Sequence, residues 1–220
     1  MRRWLKSYVM PSGTRERRIL LGPAAGLRMD LDPARELRFW LGVYEAELAK
    51  HFRRMVQPSM RCFDIGGAEG YHALFLARLS EMPVVVFEPG EEWTEKICST
   101  LARNGLQGKV EPLFIGAKEN GNVTTIDAMA EKHFVPDFIK MDIEGAEVDA
   151  LAGAEETLAV RRPHMIVEVH GYEVERRCLD ILERHGYEPQ IVNTRKWLRE
   201  HRPIANNRWL VCAGRDPNTA

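Results

Sequence analysis

The chain has 220 residues, enough for one sizeable core, with 31 Lys plus Arg against 32 Asp plus Glu, a net charge of -1 that excludes a global basic field for nucleic acid. Cys62, Cys98, Cys178 and Cys212 form no Cys-x-x-Cys pair, which excludes a zinc ribbon or dithiol redox centre and reads as thiols in a reducing compartment. No apolar run approaches the roughly 20 residues of a membrane span, and no secretory signal stands at the N-terminus, so a cytoplasmic protein is expected.

In chain order, the first twenty residues set Arg2, Arg3, Lys6, Arg15, Arg17 and Arg18 against Glu16 alone, which reads as a solvated basic terminus, with contact to an anionic partner the sharper alternative. Ile19-Leu20-Leu21 and Leu27-Arg28-Met29, separated by Gly22-Pro23-Ala24-Ala25-Gly26, predict a strand pair. From Pro33 to Val56, Leu37, Trp40, Leu41, Tyr44, Leu48, Phe52 and Met55 recur at helical spacing and predict one amphipathic helix over the cofactor side of a sheet. Residues 1–57 are thus expected to form an extension packed on a core domain of residues 58–220.

That domain opens with Cys62-Phe63-Asp64-Ile65-Gly66-Gly67-Ala68-Glu69-Gly70-Tyr71. An apolar strand ends on a carboxylate, a glycine-rich turn follows, and Tyr71, Leu74, Phe75 and Leu79 then mark a helix face. A dinucleotide fingerprint needs Gly-x-Gly-x-x-Gly, but the first place of that frame is Ile65. Asp64 and Glu69 would repel a pyrophosphate by about 1 kcal/mol or more per close pair, whereas a sulfonium and an ammonium are attracted. The turn therefore suits S-adenosylmethionine better than NAD. The second strand, Val84 to Phe87, ends on Glu88, placed to accept hydrogen bonds from both ribose hydroxyls, a use common to the two cofactors.

A helix through Trp93, Ile97 and Leu101 stops at Asn104-Gly105, and a third strand is expected from Val110 to Ile115. Gly116-Ala117 either backs an adenine or is a plain turn. Thr124-Thr125-Ile126-Asp127 opens a short helix, with Asp127 a cap or loop anchor. The fourth strand, Phe138 to Met141, runs into Asp142-Ile143-Glu144-Gly145-Ala146-Glu147, and the following helix is expected to bury Val148, Leu151 and Leu158. A fifth strand from Met165 to Val169 carries Glu168 and ends at His170-Gly171. A helix through Val174, Cys178, Ile181 and Leu182 closes at His185-Gly186, and Gln190–Val192 and Trp209–Cys212 complete the strands. This alternation predicts an α/β fold: a doubly wound, mostly parallel seven-stranded sheet covered on both faces. Ligands gather at the carboxyl ends of such strands, where Asp64, Glu88, Asp142 and His170 fall.

With these residues in view, the chain resembles the FkbM family of S-adenosylmethionine-dependent methyltransferases. The resemblance rests on Phe63 to Tyr71, on Phe87-Glu88-Pro89, and above all on Ile139-Lys140-Met141-Asp142-Ile143-Glu144-Gly145-Ala146-Glu147 with Leu151 and Gly153-Ala154. It runs from about Leu41 to His170, with a weaker echo at Asn207-Arg208-Trp209-Leu210. One departure is the turn, Gly67-Ala68-Glu69 where the family often has Ala-Asn. The resemblance implies a class I methyltransferase fold and methyl transfer to a hydroxyl, often on a sugar or natural product. It also implies that Asp64, Gly66 and Gly70 line the cofactor, with Gly67, Tyr71 and Pro89 in the same motifs, that Glu88 holds the ribose, and that Asp142 faces the transfer site.

A base near the acceptor hydroxyl should contribute roughly a hundredfold or more. Asp142, Glu144, Glu168 and His170 are the candidates, being at or near the ends of central strands. His170 is attractive as the base because the unperturbed histidine pKa lies near neutrality, or else is a strand-end histidine bonded to backbone; Asp142 is a base or an anchor for the cofactor ammonium. Glu147 reads as an acid favourable in a helix first turn, and Lys140 as a residue that snorkels or pairs with a carboxylate. The same four candidates could form a metal site, but no compact ligand motif forces one, and none is expected. Trp40, Tyr44, Trp197 and Trp209 either stack on a sugar or belong to the core. The expected partner is a small-molecule or glycan hydroxyl acceptor, with no nucleic acid and no membrane span; a homodimer stays open. The rival readings are a nicotinamide oxidoreductase and a nucleoside-binding protein without catalysis.

Overall fold

A computed structural model describes residues 13–195 and 207–215. The chain begins with a strand pair, β1 (Arg15–Arg18) and β2 (Arg28–Leu31), antiparallel with Arg18 opposite Arg28. The predicted pair is thus displaced outward. Ile19 and Leu27 still exchange backbone contacts, Ile19 N donating to Leu27 O at 2.8 Å, but residues 20–26 are its turn.

The single helix predicted over 33–56 is two. α1 (Pro33–Leu41) is capped by the Asp32 carboxylate and stops at Gly42, whose φ of +70° a Cβ would disfavour and whose Cβ would sit 1.9 Å from Leu21 O. The chain then turns through a 3₁₀ segment, Ala46–Leu48, into α2 (Ala49–Met55). Helical periodicity survives across this break because both pieces bury apolar side chains on the same core, Leu48, Phe52 and Met55 among them.

The central sheet comprises β3 (Cys62–Ile65), β4 (Val84–Phe87), β5 (Gly108–Glu111), β8 (Phe138–Met141), β9 (His164–His170), β10 (Gln190–Val192) and β11 (Asn207–Cys212). Its order is β5-β4-β3-β8-β9-β11-β10, parallel from β5 to β9, with β11 antiparallel to both its neighbours. The inner strands are buried on both faces, which is why they read as near-continuous apolar runs. Helices α3 (Tyr71–Ser80), α4 (Glu91–Arg103), α5 (Ile126–Lys132), α6 (Glu147–Ala152) and α7 (Tyr172–Arg184) make the crossovers. They cover two apolar layers, one around Phe75, Leu74, Val86 and Phe138, the other around Phe63, Phe87, Ile139 and Val167.

The predicted third strand breaks after Glu111. Residues 114–115 leave the sheet and, as β6 (Phe114–Ile115), pair with β7 (Val123–Thr124). Beyond β3 the chain winds outward to β5 and then returns to β8 on the other side. That reversal opens a crevice above the carboxyl ends of β3 and β8.

Candidate active site

The turn after β3 is shaped by close backbone approach. Gly66 has φ +82°, and a Cβ there would meet Asp142 O at 1.8 Å; at Gly67 it would meet Val86 at 2.3 Å. Hydrogen bonds from Gly66 N to Phe87 O and from Asp142 N to Ile65 O, both 2.9 Å, knit the loops after β3, β4 and β8. Glu88 holds the turn from the next strand, its carboxylate accepting from Ala68 N at 2.8 Å and Gly90 N at 3.0 Å. Between these loops lies a cavity of about 300 Å³, lined by Ile65, Gly66, Ala68, Phe87, Glu88, Pro89, Leu113, Phe114, Ile115, Asp142, Ile143, Glu144 and Ala146.

Of the residues expected to touch a cofactor, Gly66, Glu88, Pro89 and Asp142 line this cavity, and the others do not. Asp64 is wholly buried beneath the turn. Gly67 and Gly70 pack against Val86 and Ile97, and Tyr71 against Phe39, Tyr44 and Phe75. Gly116 is buried behind β7 and Ala117 is exposed, with neither on the lining.

Asp64 faces Lys140 across the β3–β8 register, and Lys140 Nζ lies 3.4 Å from Asp64 Oδ1. The same ammonium donates to Gly66 O at 2.9 Å and lies 3.9 Å from Asp142, so it fastens the glycine turn to the fourth strand. Burial alone would lower the Lys140 pKa, but Asp64, Asp142 and Glu45 around it hold it above the usual lysine value. On the far side of Tyr71, His72 pairs with Glu45 at 3.2 Å, which ties the N-terminal segment to the start of α3.

The four candidate bases converge at the end of β9. His170 Nε2 lies 3.6 Å from Asp142 Oδ1, 3.6 Å from Glu144 Oε2 and 3.8 Å from Glu168 Oε1. The ring is gripped from behind by Glu147, whose Oε1 is 2.8 Å from Nδ1 and also accepts from Gly145 N. Glu147 does stand in the first turn of α6, and it is fully buried there. His170 bonds side chains rather than backbone, as far as its ring nitrogens go. Burial depresses its pKa, yet Glu147, then Asp142 and Glu144, carry it above the ordinary histidine value. Glu168 accepts from Trp209 Nε1 at 3.2 Å and from Asn207 Nδ2 at 3.5 Å. Trp209 is therefore a core residue that orients a carboxylate; Trp40 and Tyr44 pack on the core, and Trp197 lies outside the described residues.

A glycine turn under an acid-lined cavity, in a sheet whose seventh strand is inserted antiparallel beside the fifth, defines the class I methyltransferase fold. Within that class, residues 114–202 match the Methyltransferase FkbM domain. A structure of methyltransferase FkbM from Methylobacillus flagellatus KT is 20% identical with a TM-score of 0.55, covering 74% of this chain and 50% of that one. A S-adenosylmethionine-dependent O-methyltransferase from Thermotoga maritima is 13% identical, TM-score 0.53, covering 77% and 65%. The Pyrococcus abyssi tRNA (uracil-54, C5)-methyltransferase, in complex with S-adenosyl-L-homocysteine, is 14% identical, TM-score 0.57, covering 90% and 43%. The chain thus spans half the length of the FkbM structure, and at these identities the likeness is one of fold. No curated protein matches the sequence.

Proposed function

We propose that the protein is an S-adenosylmethionine-dependent O-methyltransferase that acts on a hydroxyl of a sugar, glycan or natural-product acceptor. The observation that carries this reading is the cavity's lining, which holds Glu88, Asp142 and Glu144 among apolar groups and no basic side chain among the described residues. Three carboxylates suit a donor with an ammonium and a sulfonium and disfavour a pyrophosphate, which argues against the nicotinamide alternative. Glu88 would accept from the ribose hydroxyls, Leu113, Phe114 and Ile115 would flank the base, and Asp142 would face the charged end.

Bound there, S-adenosylmethionine would supply an electrophilic methyl group. The chain's own part is to align an acceptor oxygen with that methyl in a dry corner and to remove its proton. The corner where Asp142, Glu144, Glu168 and His170 meet supports that role, since it collects proton acceptors beside the cavity. The same acids favour a small hydroxylic acceptor over RNA, whose phosphates they would repel. The test is mass spectrometry of a cell extract incubated with the protein and isotope-labelled cofactor. The label is expected in a methyl ether of a sugar or small molecule; label confined to nucleic acid or to nitrogen would overturn the acceptor assignment.

A further inference from the structure

We infer that Asp142, Glu168 and His170 form a binding site for a divalent cation of the Mn²⁺ or Mg²⁺ type, one that would hold the acceptor through two adjacent oxygens. One ligand atom from each residue lies within 4.8 Å of the other two, and the measured edges from His170 Nε2 are 3.6 and 3.8 Å. Octahedral coordination with bonds near 2.1 Å needs edges of about 3 Å, a contraction within reach of side-chain torsions. Two carboxylates with one imidazole is a hard, oxygen-rich donor set.

The surroundings are those of a metal centre rather than of a chance gathering of acids. The ring nitrogen of His170 away from the cluster is held by the Glu147 carboxylate, which leaves Nε2 turned toward Asp142 and Glu168. Glu168 is itself anchored by the Trp209 indole. A buried oxygen beside the cluster lacks a hydrogen-bond partner among the described residues: Oδ1 of Asn207, whose amide nitrogen reaches Glu168 and whose backbone pairs with His170 across the β9–β11 ladder. Four carboxylates crowd one imidazole, while Lys140, the ammonium 3.9 Å from Asp142, is shared with Asp64.

The cluster meets solvent on the side where Glu144, 3.6 Å from His170 Nε2, is exposed, and an ion held by three protein ligands would have coordination positions left for an acceptor. A vicinal diol or an α-hydroxy acid fits there as a chelate, and this substrate class rests on the methyltransferase reading above. An ion held there would lower the pKa of the acceptor hydroxyl, and the exposed Glu144 would take its proton on to solvent. The freed oxygen would then bond the methyl carbon as the carbon–sulfur bond breaks, leaving a neutral thioether.

Titrating the purified full chain with MnCl₂, read by calorimetry and by loss of the free Mn²⁺ spin-resonance signal, tests the site without a known acceptor. One saturable site is expected, weakened about tenfold or more in Asp142→Asn and in Glu168→Gln, each checked for an unchanged circular-dichroism spectrum. Absence of uptake at about 1 mM Mn²⁺, or equal uptake by the wild type and Asp142→Asn, would overturn the site. S-adenosylmethionine titrated into the same protein separates the two proposals. Binding of the cofactor without Mn²⁺ sinks the cation site alone, and Mn²⁺ without the cofactor supports the site while removing the methyltransferase reading.

Discussion

Glu147 shows how a residue's role depends on what the fold brings beside it. In sequence it is an acid in the first turn of a helix, three places after Glu144, and nothing local separates the two. In the structure one is exposed and the other is buried against His170, a residue 23 positions away on the neighbouring strand. Only a pairing of strand ends across β8 and β9 distinguishes them, and that is not written in helical periodicity. Asp64 is the opposite case: it ends a strand below the cavity, but its register partner is Lys140, and the side chain is buried in that ion pair. Glu88, by contrast, follows a buried strand directly, has only backbone N–H partners among the described residues and lines the cavity, as its place at a strand end suggests. Replacing Glu88 with Ala should weaken S-adenosylmethionine about tenfold in calorimetry, the loss of charge-assisted hydrogen bonds worth about 1.5 kcal/mol. His170→Ala should lower turnover about a hundredfold while changing the cofactor's dissociation constant by less than about twofold, as measured by single-turnover kinetics and calorimetry. Unchanged turnover would remove His170 from the chemistry.

Strands β3, β4 and β8 fall where their apolar runs and flanking turns put them, because a parallel strand buried on both faces leaves a continuous signature. Elements near the edges were harder to place. The third strand splits at Glu111 because Leu113 N turns back to Glu111 O, a local bend that a run of strand formers conceals. A different device holds the opposite ends of the central strands. Asp137, 5% exposed, accepts from Arg61 N and Nε at 2.9 and 3.0 Å and pairs with Arg161 at 3.3 Å. It thereby ties the starts of β3 and β8 to the π-helical turn Thr157–Arg161. Burial alone would raise the Asp137 pKa, but Arg61 and then Arg161 hold it below the usual carboxylate range. Because the native value is the depressed one, this stabilisation is complete above the ordinary carboxylate pKa and is lost as pH falls through the native value. Asp137→Asn should cost about 2 kcal/mol in urea unfolding at pH 7, with the gap to wild type closing in the acid range below the ordinary carboxylate pKa. A gap that stayed constant with pH would contradict the ion-pair account.

On the scale of the molecule, the segment before β3 is bound into the same core as the sheet. Ile19, Met29, Leu31, Phe52 and Met55 are each no more than 3% exposed and share a cluster with Phe75, Val86 and Phe138. Removing residues 1–57 should therefore lower the thermal midpoint by well over 10 °C or yield insoluble protein, since several buried large side chains at about 1.5 kcal/mol or more each would be uncovered. A truncated chain that melted like the full one would show that the segment is a separable appendage. The overall architecture was readable because alternation of strand and helix leaves few topologies, whereas the cluster around His170 joins residues from the loop after β8, α6, β9 and β11 that no spacing rule connects. What the whole account rests on is the sign of charge in the cavity at the ends of β3, β4 and β8. Calorimetric titration of the full chain with S-adenosylmethionine and, separately, with NAD measures this directly. Saturable binding of the sulfonium compound with no heat from NAD is the predicted result; saturable binding of NAD with none of S-adenosylmethionine would contradict it.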